Sequence, residues 1–254
     1  MGEIKKIVII GTGNIAHHLG MAFLKNGIEI TGIWGRSKEK SNNLSSLLHS
    51  KTIEHLDEIP KTVDLVLICV SDTAIKEIVE KIPNSFPIAY TSGSINLESL
   101  PDKDKIGVFY PLQTFSLKRE VDISKVPFLL ESNNKVFCNE LKTCARKLSN
   151  TVHFANSKER FQLHLAAVIV NNFTNHLFVL AEKHLEKKNL SFELLKPLIL
   201  ETAQKIQTIS PSEAQTGPAK RNDLLVIKNH LDELDNETKS IYQLLSDSII
   251  KHNK

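Results

Sequence analysis

The segment Lys6-Ile7-Val8-Ile9-Ile10-Gly11-Thr12-Gly13-Asn14-Ile15-Ala16 passes from an apolar run straight into a glycine-rich turn and then a helical pattern. Gly11 permits the tight turn after a strand, Gly13 lets the backbone approach phosphate groups closely, and small Ala16 lets the helix lie against a sheet. The helix predicted over Asn14 to about Asn26 ends at Gly27, a left-handed terminator. The amides of Thr12, Gly13, Asn14 and Ile15 surround the turn, and the partial positive charge of a helix start favours an anion there. A nucleotide pyrophosphate is the ligand this pattern calls for. Because G-x-G-x-x-A is a weak signal alone, the strand-turn-helix context has to carry it.

The next element indicates which nucleotide. Ile28-Glu29-Ile30-Thr31-Gly32-Ile33-Trp34 reads as a second strand that ends in Gly35-Arg36-Ser37. An NAD site usually places a carboxylate at this strand end to hold the ribose hydroxyls, whereas an Arg nearby suits a 2′-phosphate. Residues 30–38 contain no carboxylate. Arg36 offers a planar charged fork, Ser37 a hydroxyl, and Lys38 and Lys40 add positive potential, so NADP (NADPH) is the expected cofactor. The missing acid also argues against FAD and S-adenosylmethionine. The alternative is a solvated Arg36 with Ser37 serving only to cap the helix from Lys38, and the capping role is compatible with both.

Asp64-Leu65-Val66-Leu67-Ile68-Cys69-Val70 is continuously apolar, as a parallel strand covered on both faces must be. A helix begins at Ser71-Asp72-Thr73 and runs to about Lys81, followed by a strand over Pro87–Thr91. Further strands are predicted at Ile106–Phe109, Pro127–Leu130 and Thr151–Phe154, with a helix over Lys135–Leu148 between the last two. This is an α/β, Rossmann-like, mostly parallel doubly wound sheet, in which ligands bind beyond the strand carboxyl ends. Val70, Ser71 and Ser92-Gly93-Ser94 are therefore expected to line the crevice near the nicotinamide, unless they are ordinary polar turns.

From Ser157 onward only helical spacing remains, giving domains of 1–156 and 157–254. The first helix of the second domain is predicted over about Lys158–Lys188, unusually long and suited to burial between neighbours or subunits. His164, Asn171, Asn172, Asn175 and His176 interrupt its apolar sequence, and 164, 168, 171 and 175 follow one another along a helical face. A polar group buried without a partner costs about 1–3 kcal/mol, so these residues either pair internally or meet a ligand. Downstream, Gly217-Pro218 fixes a turn and Asp223 is placed to cap a helix beginning near Leu224.

The charge balance, +3 from 32 basic and 29 acidic side chains, is too small and too evenly spread to imply nucleic acid. No run of apolar residues looks long enough to span a bilayer, which takes about 18. The chain enters its first strand within a few residues, so no membrane partner and a cytoplasmic location are expected. Cys69, Cys138 and Cys144 form no paired framework and are expected to be inert thiols, and no metal site is expected.

The opening GTGNIA, the strand end WGRS, Thr91-Ser92-Gly93-Ser94, the block Phe109-Tyr110-Pro111-Leu112-Gln113-Thr114-Phe115-Ser116, the helix from His164 through Asn171-Asn172-Phe173, and Thr216-Gly217-Pro218 with Arg221 and Asp223 resemble the bacterial proteins that join a Rossmann-like domain to the domain of unknown function 2520. The resemblance spans nearly the whole chain, and its P-L-Q-T-F and T-G-P-x-x-R-x-D segments are far more specific than the glycine loop. It implies a distant relation to pyrroline-5-carboxylate reductase, ketopantoate reductase and 6-phosphogluconate dehydrogenase. It also implies an all-α C-terminal domain like that of the last enzyme, a close homodimer through those helices, and an active cleft between the domains. Two departures stand out: Tyr110 occupies a position where the family often carries His, and Lys158 with Gln162 replaces the Lys-x-x-x-Asn of the β-hydroxyacid dehydrogenases.

The expected activity is NADPH-dependent reduction of a small-molecule carbonyl or imine. His164 is the candidate proton donor, since histidine ordinarily titrates close to neutrality. Asn171 and Asn172 would orient the substrate, and Arg221 would hold a substrate carboxylate with Asp223 positioning it. The competing reading is a non-catalytic NADP-binding sensor or regulatory dimer.

Overall fold

The computed structural model of the chain describes residues 2–252, which form two compact units, one ending at Asn171 and the other starting at Asn172. In the first unit the strands are β1 (Lys6–Ile10), β2 (Glu29–Trp34), β3 (Lys51–Thr52), β4 (Leu65–Ile68), β5 (Ile88–Tyr90), β6 (Ile106–Pro111), β7 (Phe128–Ser132) and β8 (Val152–Phe154). They form one sheet in the order β3-β2-β1-β4-β5-β6-β7-β8. Every pairing is parallel except that of β6 with β7. The chain reverses its direction of winding between β1 and β4, and the doubly wound order 3-2-1-4-5-6 places the ligand crevice at the carboxyl ends of those two strands. Strand β3 was not anticipated, because two residues are too few to show a period.

Strand residues alternate between two apolar layers. Ile7 and Ile9 pack with Leu19 and Phe23 of α1 (Asn14–Lys25), Leu44 of α2 (Lys38–Leu47) and, farther along the same face, Phe137 and Leu141 of α4 (Lys135–Leu148). Val8 and Ile10 face the opposite layer with Ile75, Ile78 and Val79 of α3 (Asp72–Lys81). The three cysteines carry no disulfide; burial pushes the thiols of Cys69 and Cys144 up to about 12, and the half-buried Cys138 is raised less strongly.

A single helical rod spans Ser157–Lys187. It starts from a capping box in which the Asn156 side chain accepts from the Glu159 amide and the Glu159 carboxylate accepts from the Asn156 amide. It is not α-helical throughout: α5 (Ser157–Ala167) and α6 (Thr174–Lys187) flank a π-helical turn over Val168–Phe173. That turn changes the helical phase, so the face read from 164 to 175 on a uniform α-helix does not run straight through it. By length and composition this rod could also cross a membrane, with a mean hydropathy of 1.3 over its most apolar window, contrary to the sequence reading.

The start of the rod is fixed to the sheet by Arg160, which is fully buried. Its guanidinium donates to the Glu131 carboxylate on β7 and to the Ile95 carbonyl, and lies 3.3 Å from Ser157 Oγ and 3.4 Å from Tyr90 Oη. The Glu131 carboxylate also accepts from the Ser157 amide at 2.9 Å and the Ser157 hydroxyl at 2.8 Å. β8 ends at Phe154 and α5 starts at Ser157, and α5 belongs to the first compact unit, where this network ties it to the sheet.

The second unit continues through α6, α7 (Lys196–Lys205), α8 (Pro211–Ala214), α9 (Leu224–Glu233) and α10 (Asn236–His252). Lys187 and Lys188 pair with Asp235 at 2.7 Å and Glu233 at 2.9 Å, closing α6 onto the α9–α10 turn. Large apolar side chains nevertheless stay exposed, among them Leu194 at 75%, Leu225 at 70% and Leu244 at 70%.

Removing one member of a buried ion pair strands the other, so Arg160→Met should lower stability by about 3–5 kcal/mol in urea unfolding, and the double variant with Glu131→Gln should recover part of it. Raised thiol values keep Cys69 and Cys144 protonated and unreactive at pH 8. In alkylation of the native protein at that pH, followed by mass spectrometry, Cys138 should be labelled well before the other two.

Candidate active site

Strands β1, β2, β4, β5 and β6 all run in one direction, so the segments that follow them gather along one edge of the sheet. After β1, Gly11 adopts φ +122°, and a β-carbon there would overlap the Cys69 carbonyl oxygen. Only glycine combines that angle with that contact. Gly13 is different: a β-carbon there would meet nothing within 4 Å, so the space above the turn is open. Gly13 is the N-cap of α1 and brings no side-chain acceptor, and the first turn holds no acidic residue. The starting amides of α1 thus keep their capacity for an external anion, and the residues fit a dinucleotide pyrophosphate. Ala16 is fully buried and Ile15 packs on the core, as the motif requires.

The end of β2 lies beside this turn. A β-carbon on Gly35 would come within 2.7 Å of Thr12 Cγ2, so the two loops touch where Gly35 lacks a side chain. Arg36 is exposed. Ser37 caps α2, its hydroxyl accepting from the Lys40 amide at 3.4 Å, and Lys38 is bound to Glu54 at 2.6 Å. Lys38 therefore adds less positive potential than its charge alone implies, which leaves exposed Arg36 and Lys40 as the other cations of this segment.

Val70 is half-buried and Ser71 is the exposed N-cap of α3, its hydroxyl 3.3 Å from that of Thr73. Ser92 is buried, and its hydroxyl accepts from the amides of Ser94 and Ile95, both at 3.1 Å. Ser92 thus serves the turn after β5, and the Ser94 hydroxyl donates to Asp72 at the start of α3.

Asn14 and His18 of α1 have a role that the sequence did not disclose. Asn14 Nδ2 donates to the Phe115 carbonyl at 2.8 Å, and His18 Nε2 lies 3.0 Å from the Ser116 carbonyl, with its ring 5.1 Å from that of Phe115. The P-L-Q-T-F segment is in this way tied to the helix that begins at the glycine loop.

The densest chemistry lies at Gly93. Tyr110, near the end of β6, and His164, on α5, both press against its Cα: a β-carbon there would lie 2.7 Å from His164 Nδ1 and 2.8 Å from Tyr110 Cζ. Tyr110 Oη and His164 Nδ1 are 3.0 Å apart, with the rings edge to face. Burial raises the Tyr110 hydroxyl above its ordinary value, the Asp72 carboxylate adds to this, and Arg160 opposes it. His164 follows Arg160 by one helical turn, so the side chain that anchors α5 also aims His164 at Gly93. An Arg and a His four residues apart beside a capping box was the available signal for this face.

Of the remaining candidates, Asn171 and Asn172 both occupy the π-helical turn. Within the second unit, Gly217 has φ +103° and Asp223 caps α9, its carboxylate accepting from the Val226 amide at 3.2 Å. Arg221 is exposed, and no Arg221–Asp223 ion pair forms among the described residues. No cluster of three or more potential metal ligands occurs among them either.

Residues 126–249 match the family described as Domain of unknown function (DUF2520), and residues 5–88 match the oxidoreductase family with an NAD-binding Rossmann fold. No curated protein matches the sequence. Among solved structures, one from Bacteroides fragilis described as a candidate NADP oxidoreductase is 38% identical, with a TM-score of 0.89 over 97% of this chain and 98% of that one. The reductive aminase from Aspergillus terreus, solved with NADPH and ethyl-5-oxohexanoate, is 13% identical, with a TM-score of 0.73 over 98% and 94%. The 1-pyrroline-5-carboxylate reductase from Streptococcus pyogenes is 17% identical, with a TM-score of 0.64 over 98% of both chains. These last two share the fold with this chain, whereas the Bacteroides protein matches it in sequence from end to end. The chain belongs to the family of Rossmann-fold oxidoreductase-like proteins that carry the domain of unknown function 2520.

Proposed function

We propose that the protein is an NADP(H)-dependent oxidoreductase that reduces a small carbonyl or imine compound. The observation that carries this reading is a hydrogen-bonded Tyr110–His164 pair seated on Gly93, on the same sheet edge as an uncapped glycine loop and a carboxylate-free strand end bearing Arg36. The likeness to a candidate NADP oxidoreductase and to a reductive aminase solved with NADPH supports it.

In this reading the amides of Thr12, Gly13, Asn14 and Ile15 hold the pyrophosphate, and Arg36 holds the 2′-phosphate with its planar fork. Val70, Ser71 and Ser92 flank the nicotinamide end through their backbone, since the Ser92 hydroxyl is committed to its own turn. When bound in this crevice, a reduced nicotinamide would supply a hydride to the electrophilic carbon. His164 gives a proton to the attached oxygen or nitrogen, so that the substrate gains two electrons and two hydrogens in all. Asn171 and Asn172 orient the substrate and Arg221 holds a carboxylate on it, while Asp223 secures the start of α9 behind Arg221.

The same reading includes a homodimer. Val170 at 72% and Phe173 at 59% exposure on the rod add to the exposed leucines of the second unit. An apolar surface of that extent is seldom left to water, and a second copy of these helices would cover it.

Calorimetry should show binding of NADPH and NADP in preference to NADH and NAD, and Arg36→Ala should lose about 1.5–3 kcal/mol toward the phosphorylated pair alone. Failure of all four to bind would overturn the reading. In a carbonyl and imine panel, His164→Ala should abolish turnover while leaving nucleotide affinity nearly intact; wild-type protein that binds NADPH tightly but turns over nothing would favour a sensor. Light scattering should give twice the chain mass of 28.5 kDa, and a charge placed in the apolar surface by Val170→Glu should shift the protein toward the monomer.

A further inference from the structure

The hydrogen bond between Tyr110 and His164 has two possible polarities, and the surroundings distinguish them. A neutral imidazole presents one N–H and one bare nitrogen, so either Tyr110 donates to a bare Nδ1 or a protonated Nδ1 donates to Tyr110. Tyr110 is only 8% exposed, and burial together with the nearby Asp72 keeps its hydroxyl protonated at neutral pH. That O–H needs an acceptor, and among the described residues its partner is His164 Nδ1. With the bond reversed, a buried hydroxyl proton would be left over, at a cost of about 1–3 kcal/mol. With the hydroxyl donating, the buried O–H is satisfied and the remaining imidazole proton resides on Nε2.

We propose that Tyr110 is a positioning residue that fixes His164 as the Nε2–H tautomer, so that the ring atom facing away from Tyr110 is a hydrogen-bond donor. The seat on Gly93 makes the arrangement narrow. Gly93 backs both Nδ1 and Tyr110 Cζ, Tyr110 is carried on a central strand, and α5 is anchored by Arg160 one turn earlier. The groups facing the pair are Asp72 at the start of α3, bonded to Ser94, and Arg160 on α5, bonded to Glu131. None of these supplies Nδ1 with an alternative donor. For a reductase, a fixed Nε2–H is the group that can polarise a carbonyl oxygen or an imine nitrogen. This role rests on the oxidoreductase reading, but the tautomer itself does not.

The test is long-range 1H–15N correlation spectroscopy of protein labelled with 15N-histidine, near pH 8, with the His164 signals identified by their loss in His164→Gln. Wild-type His164 should appear as a single Nε2–H species, and Tyr110→Phe should turn it into a mixture of tautomers. Thr91→Val, which removes a nearby buried hydroxyl that bonds the Ile68 carbonyl and takes no part in the Arg160 network, should leave it unchanged. An Nδ1–H ring in the wild type would overturn the proposal without recourse to any variant. So would an unaltered tautomer in Tyr110→Phe, or an equal change in Thr91→Val, which would trace the effect to general loosening. Calorimetry with NADPH on the same samples separates the two questions. An Nε2–H tautomer dependent on Tyr110 in a protein that binds no nucleotide would uphold this inference and sink the oxidoreductase reading.

Discussion

The buried guanidinium of Arg160 is the contact on which the geometry of the candidate site depends. A fully desolvated cation is tolerated only when its charge and its donors are met, and here Glu131, the Ile95 carbonyl, Ser157 and Tyr90 meet most of them. Each partner comes from a different segment: β7, the turn after β5, the first residue of the rod, and β5 itself. The network therefore locks the start of a very long helix to the middle of the sheet at one rotational setting. His164, one turn farther on, inherits that setting and meets Tyr110 over Gly93. A buried ion pair is weak evidence of stability as such; its clearer role here is to allow a single orientation of the helix.

Much of the sheet was legible in the sequence because parallel strands buried on both faces must be unbroken apolar runs. β1, β2, β4, β5, β6 and the ends of the rod all lie where those runs and their flanking Gly, Pro and Asn signals put them. Gly11 and Gly27 carry the positive φ angles expected of them. What failed did so for identifiable reasons. β3 is too short for periodicity, and a π-helical turn leaves no mark in a pattern read at 3.6 residues per turn. The apolar character of the rod is likewise masked by polar residues that are scattered through it rather than clustered.

The candidate site was legible in its parts but not in its grouping. His164 and the Ser92-Gly93-Ser94 turn were visible as separate polar features, and nothing local in the sequence brings residues 93, 110 and 164 together. Tyr110 stood out only as a departure from the histidine that the resembling family often carries there. In the fold it is the hydrogen-bond partner of the histidine that the sequence did single out. The side chains of Ser92 and Asn14 are occupied by their own protein, in a turn and in a loop tether, which leaves their backbone groups to face a ligand. Long-range pairing of this kind is set by strand order and by one buried ion pair, and neither is written in a local motif.

The tether of the P-L-Q-T-F segment by Asn14 and His18 bears on how the protein meets a ligand. A connection that left β6 and wandered freely would have to be ordered at the moment of binding, and that loss of conformational freedom would be subtracted from affinity. Two hydrogen bonds from consecutive turns of α1 restrain the segment beforehand, and both come from the helix whose first amides follow the glycine turn without a side-chain cap. The loop and the helix start are thus preorganised as one piece, so a ligand arriving at the glycine turn meets a surface whose shape is already set.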